Sequence, residues 1–208
     1  MNASRVSVTP SSPPRTMPIA VTIAGLTLLL ALAAWLRWDA LRNLSLYVDE
    51  FTTLWAARQV QAHGVPLMPS GVLYTRGLLA SYIQAGVGAL FGNDYTVGRL
   101  PSLVFGLATI VLIWQVGRRS WRCPVGWLAA LGLALLPEAI LWSARARFYT
   151  QVQFFVLLTL WVAWELIRAE MRAGAPQRGA FQSDGANGTS PPGPLSMRRG
   201  GALRRRSA

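Results

Sequence analysis

Four long apolar runs decide what this chain can become. Pro18 to Leu36 passes 19 residues without a charge. Leu100 to Val116, Cys123 to Trp142 and Phe148 to Ile167 are comparable, the last two each carrying one Glu. At a rise of about 1.5 Å per residue, such runs cross a hydrocarbon core of about 30 Å as helices. Lipid offers the backbone no hydrogen-bond partners, so a spanning segment must satisfy itself. The expectation is an all-α polytopic membrane protein with about four transmembrane helices. A chain 52% hydrophobic and only 13% charged fits that class better than a soluble domain.

A further apolar stretch, Gly77 to Phe91, is shorter and holds Ser81, Tyr82 and Gln84. It suits an interfacial or re-entrant helix better than a span. Charge placement tests the choice. With Gly77 to Phe91 left out of the count, Arg118, Arg119 and Arg122 fall on the cytoplasmic side with the Arg-rich C-terminal tail, as the positive-inside rule demands. The expected order is a cytoplasmic polar tail 1–17 and spans at 18–36, 100–116, 123–142 and 150–167. An outer loop 37–99, a basic loop 117–122 and an outer turn 143–149 join them, ahead of a basic cytoplasmic tail 168–208. Ala31-Leu32-Ala33 resembles a cleavage site, so a removed signal peptide is the alternative for the first run. In both cases Arg5 and Arg15 stay inside.

All 20 basic residues are Arg, and the formal net charge is +12. Eight of these Arg lie after Ile167, in a stretch rich in Gly, Pro and Ser that reads as disordered from Ala173 onward. Orientation and anionic lipid account for them, and no nucleic-acid partner is expected. The lone Cys123 excludes an internal disulfide, and no His/Cys/Asp pattern, His63 included, has zinc spacing.

Within the first outer loop, Tyr47, Phe51, Leu54 and Trp55 recur at helical spacing while Asp49, Thr52, Thr53 and Arg58 fall on other faces. An amphipathic helix lying along the membrane is expected, ended by Gly64 and Pro66. Asp49 at its head is either a helix N-cap, with Glu50 favoured by the macrodipole, or a general base toward an acceptor hydroxyl. Arg145 and Arg147 in SARARFY, and Arg76 in VLYTRGLL, are candidates for a lipid phosphate, because a guanidinium presents paired donors to its oxygens. Their ordinary reading is headgroup anchoring. Glu138 follows Pro137, which marks a kink, and Glu165 sits within reach of Arg168.

The ordered set YVDE, HGVPLMPSGVLYTR, ALFGNDYTVGRLPSLVFG and WSARARFYTQVQFF resembles the GT-C membrane glycosyltransferases, in particular the protein O-mannosyltransferase and aminoarabinose transferase group. The resemblance runs from about Pro18 to Arg168. It implies the N-terminal part of a GT-C fold, with two interfacial helices in the first outer loop. It also implies transfer of a mannose-like sugar from a polyprenyl-phosphate carrier to a glycan, lipid or protein acceptor. That reaction is expected at the outer face of a membrane, in a bacterium the inner one. Asp49 matches the family's catalytic acid, with Glu50 beside it. Arg76, Arg145 and Arg147 fall toward the donor phosphate, and Tyr74 and Tyr149 toward the substrate pocket. No cofactor is implied, and a divalent metal is left open. Tyr149 stands where many relatives carry an Asp. The resemblance stops at the fourth span, whereas the family's chains are much longer. A second reading therefore stands beside the first, a truncated remnant or accessory subunit without catalysis.

Overall fold

The computed structural model describes residues 18–121 and 123–184, without the side chains of 174–184. The N-terminal tail with Arg5 and Arg15, Arg122, and the tail beyond 184 lie outside the described residues. Among those described, the structure is all-helical apart from a single bridge between Leu67 and Leu73. The helices are α1 (Ile19–Asn43), α2 (Val48–His63), α3 (Leu78–Phe91), α4 (Tyr95–Ser120), α5 (Cys123–Leu135), α6 (Pro137–Ser143) and α7 (Tyr149–Asp184).

Three helices are long and apolar enough to cross a membrane: α1, α4 and the Tyr149–Ala173 part of α7. A fourth crossing exists if α5 and α6 are taken as one span, broken and bent by 63°. The chain is thus an all-α polytopic membrane protein with three to four candidate spans. Each helix outruns its apolar run. α1 continues past Leu36 to Asn43, and α7 continues past Ile167 through Ala169, Glu170, Met171, Arg172 and Ala173, most of them strong helix formers, into the segment that composition alone reads as disordered.

The chain divides after Val162 into two compact units. In the first, α1, α4 and α5 meet in a core of Leu29, Ala33, Ile110, Trp114, Ala130 and Ala134. Glycines set the spacing of α4 and α5. A Cβ on Gly117 would lie 2.6 Å from Gly126 Cα, and one on Gly126 would lie 2.6 Å from the Trp114 carbonyl oxygen. In lipid, where apolar burial drives little association, such close backbone approach is a main source of helix cohesion. The second unit holds the rest of α7, where the Arg168 guanidinium lies 4.8 Å from the Trp164 ring centre.

The α5–α6 break has a specific cause. Pro137 lacks the N–H that would bond to the Leu133 carbonyl, so that acceptor is freed inside the bundle. Arg37, fully buried on α1, supplies the missing donors: Nη2 donates to Leu133 O at 3.1 Å and Nη1 to Ala134 O at 3.1 Å. Its Nε reaches Ser143 Oγ at the end of α6, 3.3 Å away, and Gly106 on α4 makes room for that hydroxyl. Glu138, beside the break, is exposed.

At the end of the bundle where α1 finishes and α4 begins, α2 and α3 pack together. α2 ends at Gly64, whose φ of +76° suits glycine, and Gly77 (φ +71°) precedes α3. The buried face of α2 is Glu50, Thr53, Ala56 and Ala57. Of the residues expected on the polar faces, Asp49 and Arg58 stay exposed and Thr52 is half-buried. Thr53 is covered, while Tyr47 and Phe51 are exposed and Leu54 and Trp55 half-buried, because the small residues allow α2 to pack closely on the protein.

Candidate functional site

The site grows from the first turn of α2. Its N-cap is Tyr47, not Asp49, and the capping contact comes from Glu50, whose Oε2 accepts the Tyr47 N–H at 3.0 Å. Asp49 is therefore released from the capping role and carries a half-exposed carboxylate one position before Glu50.

Glu50 has no exposed surface. Arg99 on α4 grips it as a fork, Nε to Oε1 and Nη2 to Oε2, both at 2.9 Å. The remaining Arg99 donors go to backbone carbonyls where α1 ends: Leu41 O at 2.7 Å, Leu44 O at 3.1 Å and Ser45 O at 3.4 Å. Glu50 Oε1 also accepts the Ala146 N–H at 2.8 Å. Burial acts to raise the Glu50 pKa, but Arg99 and the Ala146 and Tyr47 amides outweigh it, and the carboxyl is held below its ordinary value. A buried pair of this kind persists because every lone pair finds a donor.

Through Ala146, Glu50 fixes the turn between α6 and α7. Ala144 and Ala146 are fully buried there, and Ser102 Oγ of α4 donates to Arg147 O at 2.8 Å. The turn aims Arg147 at α2. Its Nη2 lies 3.3 Å from Asp49 Oδ2, and Nη1 donates to Asp49 O at 3.0 Å and to Thr53 Oγ1 at 3.2 Å. Nη2 also donates to the Tyr149 hydroxyl at 3.3 Å. Burial tends to lower the Arg147 pKa, yet the Tyr149 hydrogen bond and the nearby Tyr74, Asp49 and Tyr149 raise it overall, so the guanidinium stays charged. Arg145 stacks its guanidinium 4.6 Å from the Tyr47 ring centre and 5.9 Å from that of Trp142.

Asp49, Glu50, Arg147 and Tyr149 are thus brought together, with Arg145 on the adjoining aromatic face and Tyr74 half-buried nearby. Arg76 is exposed and pairs with no described residue. Its neighbour Gly77 does abut the turn, since a Cβ there would lie 2.8 Å from Phe148 Cδ1. Among the described residues no three His, Cys, Asp or Glu are grouped to hold a metal ion.

Arg99, Thr53, Ser102 and Arg37 are the participants that sequence reading missed. Arg99 had a signal: a charge in the second turn of an apolar helix needs a partner. Nothing in the spacing pointed to Glu50, 49 residues earlier.

Residues 75–176 match the family model of dolichyl-phosphate-mannose-protein mannosyltransferases. The match bears out the resemblance to the GT-C membrane glycosyltransferases. The matched segment contains Arg76, Arg99, Arg145, Arg147 and Tyr149, while Asp49, Glu50 and Tyr74 precede it. At the level of the family, the activity is glycosyl transfer by an integral membrane protein. No curated protein and no solved structure matches the chain.

Proposed function

We propose that this chain forms the donor-side part of a glycosyltransferase that moves a mannose-like sugar from a polyprenyl-phosphate carrier to an acceptor hydroxyl at the outer face of the membrane. The observation that carries this reading is the 3.3 Å contact between the Asp49 carboxylate and the Arg147 guanidinium. A base and a phosphate ligand must lie within one substrate's length of each other, and these two do. Asp49 takes the proton of the acceptor hydroxyl as its oxygen bonds to the anomeric carbon. The bond from that carbon to the carrier's phosphate oxygen breaks, and the electron pair leaves with the phosphate. Arg147, with Arg145 and the exposed Arg76, stabilises the charge that grows there.

Glu50 has a different part. Both its oxygens are engaged in a buried fork, so it serves as a positioning residue that holds α2 and the turn 144–148 in register. The test is transfer from a panel of polyprenyl-phosphate sugars in membranes containing the full chain. Asp49→Asn should lower transfer by about 10²–10⁴-fold with the protein still folded. Transfer unchanged by Asp49→Asn would remove the base, and no transfer by wild type from any donor would favour the reading of a non-catalytic remnant or accessory subunit.

A further inference from the structure

Along the span, α4 and the 149–162 part of α7 flank a groove of about 490 Å³, a volume in the range of pockets that hold small molecules. Its walls are apolar, with Ala108, Val111 and Leu112 of α4 on one side and Phe154 of α7 on the other. Rings, rather than close backbone approach, join the two helices. Phe105 meets Phe154 and Phe155, each at 5.6 Å between ring centres, and further along α4 the Arg119 guanidinium lies 5.7 Å from the Trp161 ring centre. Ala108, between these contacts, is too small to fill the interval. One end of the groove is polar and cationic. Trp114 and Gln115 line it, and Arg118 is tied to both: its Nη2 donates to Gln115 Oε1 at 2.9 Å, and its guanidinium lies 4.5 Å from the Trp114 ring centre. Arg119 follows Gln115 by four positions, one turn on along the same face. Both Arg are exposed in the last turn of α4, just before the exposed Trp121, a residue type that marks a membrane boundary. Orientation in the membrane explains two Arg at a helix end, but not an apolar groove that runs from them into the span.

We infer that this groove binds an anionic glycerophospholipid, with one acyl chain along Ala108, Val111 and Leu112 and the phosphate at Arg118 and Arg119. Charge complementarity selects the occupant. A groove that is apolar along its length and cationic at the membrane boundary matches an apolar chain joined to an anionic head, and a guanidinium offers paired donors to phosphate oxygens. The inference is independent of the proposed function, since Arg118 and Arg119 stand at the end of α4 opposite Arg99. Its consequence is structural: the bound chain supplies the packing that α4 and α7 do not give each other.

The test is binding to the full chain in detergent, followed by native mass spectrometry. Phosphatidylglycerol is the probe, and phosphatidylcholine with the same acyl chains and inorganic phosphate are the comparisons. Wild type should retain phosphatidylglycerol over phosphatidylcholine, and inorganic phosphate should not displace it. Arg118→Gln should weaken phosphatidylglycerol about fivefold, the worth of one Arg near a lipid surface, and leave phosphatidylcholine unchanged. Ala108→Phe and Val111→Trp place a ring in the groove from half-buried positions, and each should weaken phosphatidylglycerol about tenfold by displacing the chain. Arg118→Gln, on an exposed side chain, keeps the test open should a ring variant fail to fold. If Arg118→Gln weakens binding while both ring variants bind as wild type does, the lipid touches only the surface and the groove assignment falls. Equal retention of phosphatidylcholine would overturn the assignment to an anionic lipid. Displacement by inorganic phosphate would overturn it as well, by placing the affinity in the phosphate alone.

Discussion

Two adjacent carboxylates on α2 meet opposite fates, because neighbouring positions on a helix point about 100° apart. Glu50 turns inward to Arg99, and Asp49 stays half-exposed beside Arg147. Removing one member of a buried pair strands the other, so Glu50→Gln or Arg99→Leu should destabilise the fold by about 3–5 kcal/mol, read as a lower unfolding midpoint in detergent. The pH dependence has a definite sign. The Glu50 pKa is depressed in the fold, so its contribution is fully present above the ordinary value of 4.5 and is lost as pH falls through the depressed one. Wild type should therefore lose stability below pH 4.5 more steeply than Glu50→Gln does, measured by thermal unfolding across that range. The division between Asp49 and Glu50 was half legible in the sequence. Helical geometry excludes aiming both at one atom, but which of them turns inward depends on Arg99, whose partner is set by tertiary packing alone.

Among the elements, the apolar runs were the plainest feature of the sequence, and α1, α4 and α7 contain three of them. Length and hydropathy do not report a break, however. Pro137 announced a kink, yet the 63° bend depends on Arg37, a residue that reads as an ordinary boundary charge after Leu36. Arg37→Leu should leave the Leu133 and Ala134 carbonyls unpaired, at about 1–3 kcal/mol for each, and loosen α6. Faster hydrogen exchange over Pro137–Ser143 would be the readout. Gly117→Val should push α4 off α5 and cost about 1–3 kcal/mol, measured by unfolding in detergent. The burial of Thr53 on α2 was hidden for a related reason. Thr53, Ala56 and Ala57 are chosen for closeness to other helices, a property that a hydrophobic pattern does not register.

For the whole molecule, the contacts of Glu50 with Arg99 and Ala146 place α2, the start of α4 and the α6–α7 turn at one end of the bundle. Arg118 and Arg119 sit at the other end of α4. With Cys123 replaced by Ser, an impermeant thiol reagent should label Val72→Cys in intact cells and Trp121→Cys only after permeabilisation, both positions being exposed. Labelling of both from outside would mean that α3 crosses the membrane. The same bundle carries a consequence for how it is made. Arg37 emerges from the ribosome 96 to 106 residues ahead of Leu133, Ala134 and Ser143, with only the Ala33 carbonyl of its own helix, 3.2 Å away, to receive a proton donor in the meantime. A charged residue at the centre of a membrane helix costs about 2.5–3.5 kcal/mol on insertion, less near an end where it can reach the interface. Three of the four acceptors of Arg37 thus belong to the second half of the chain, and α1 by itself cannot satisfy the charge that it carries.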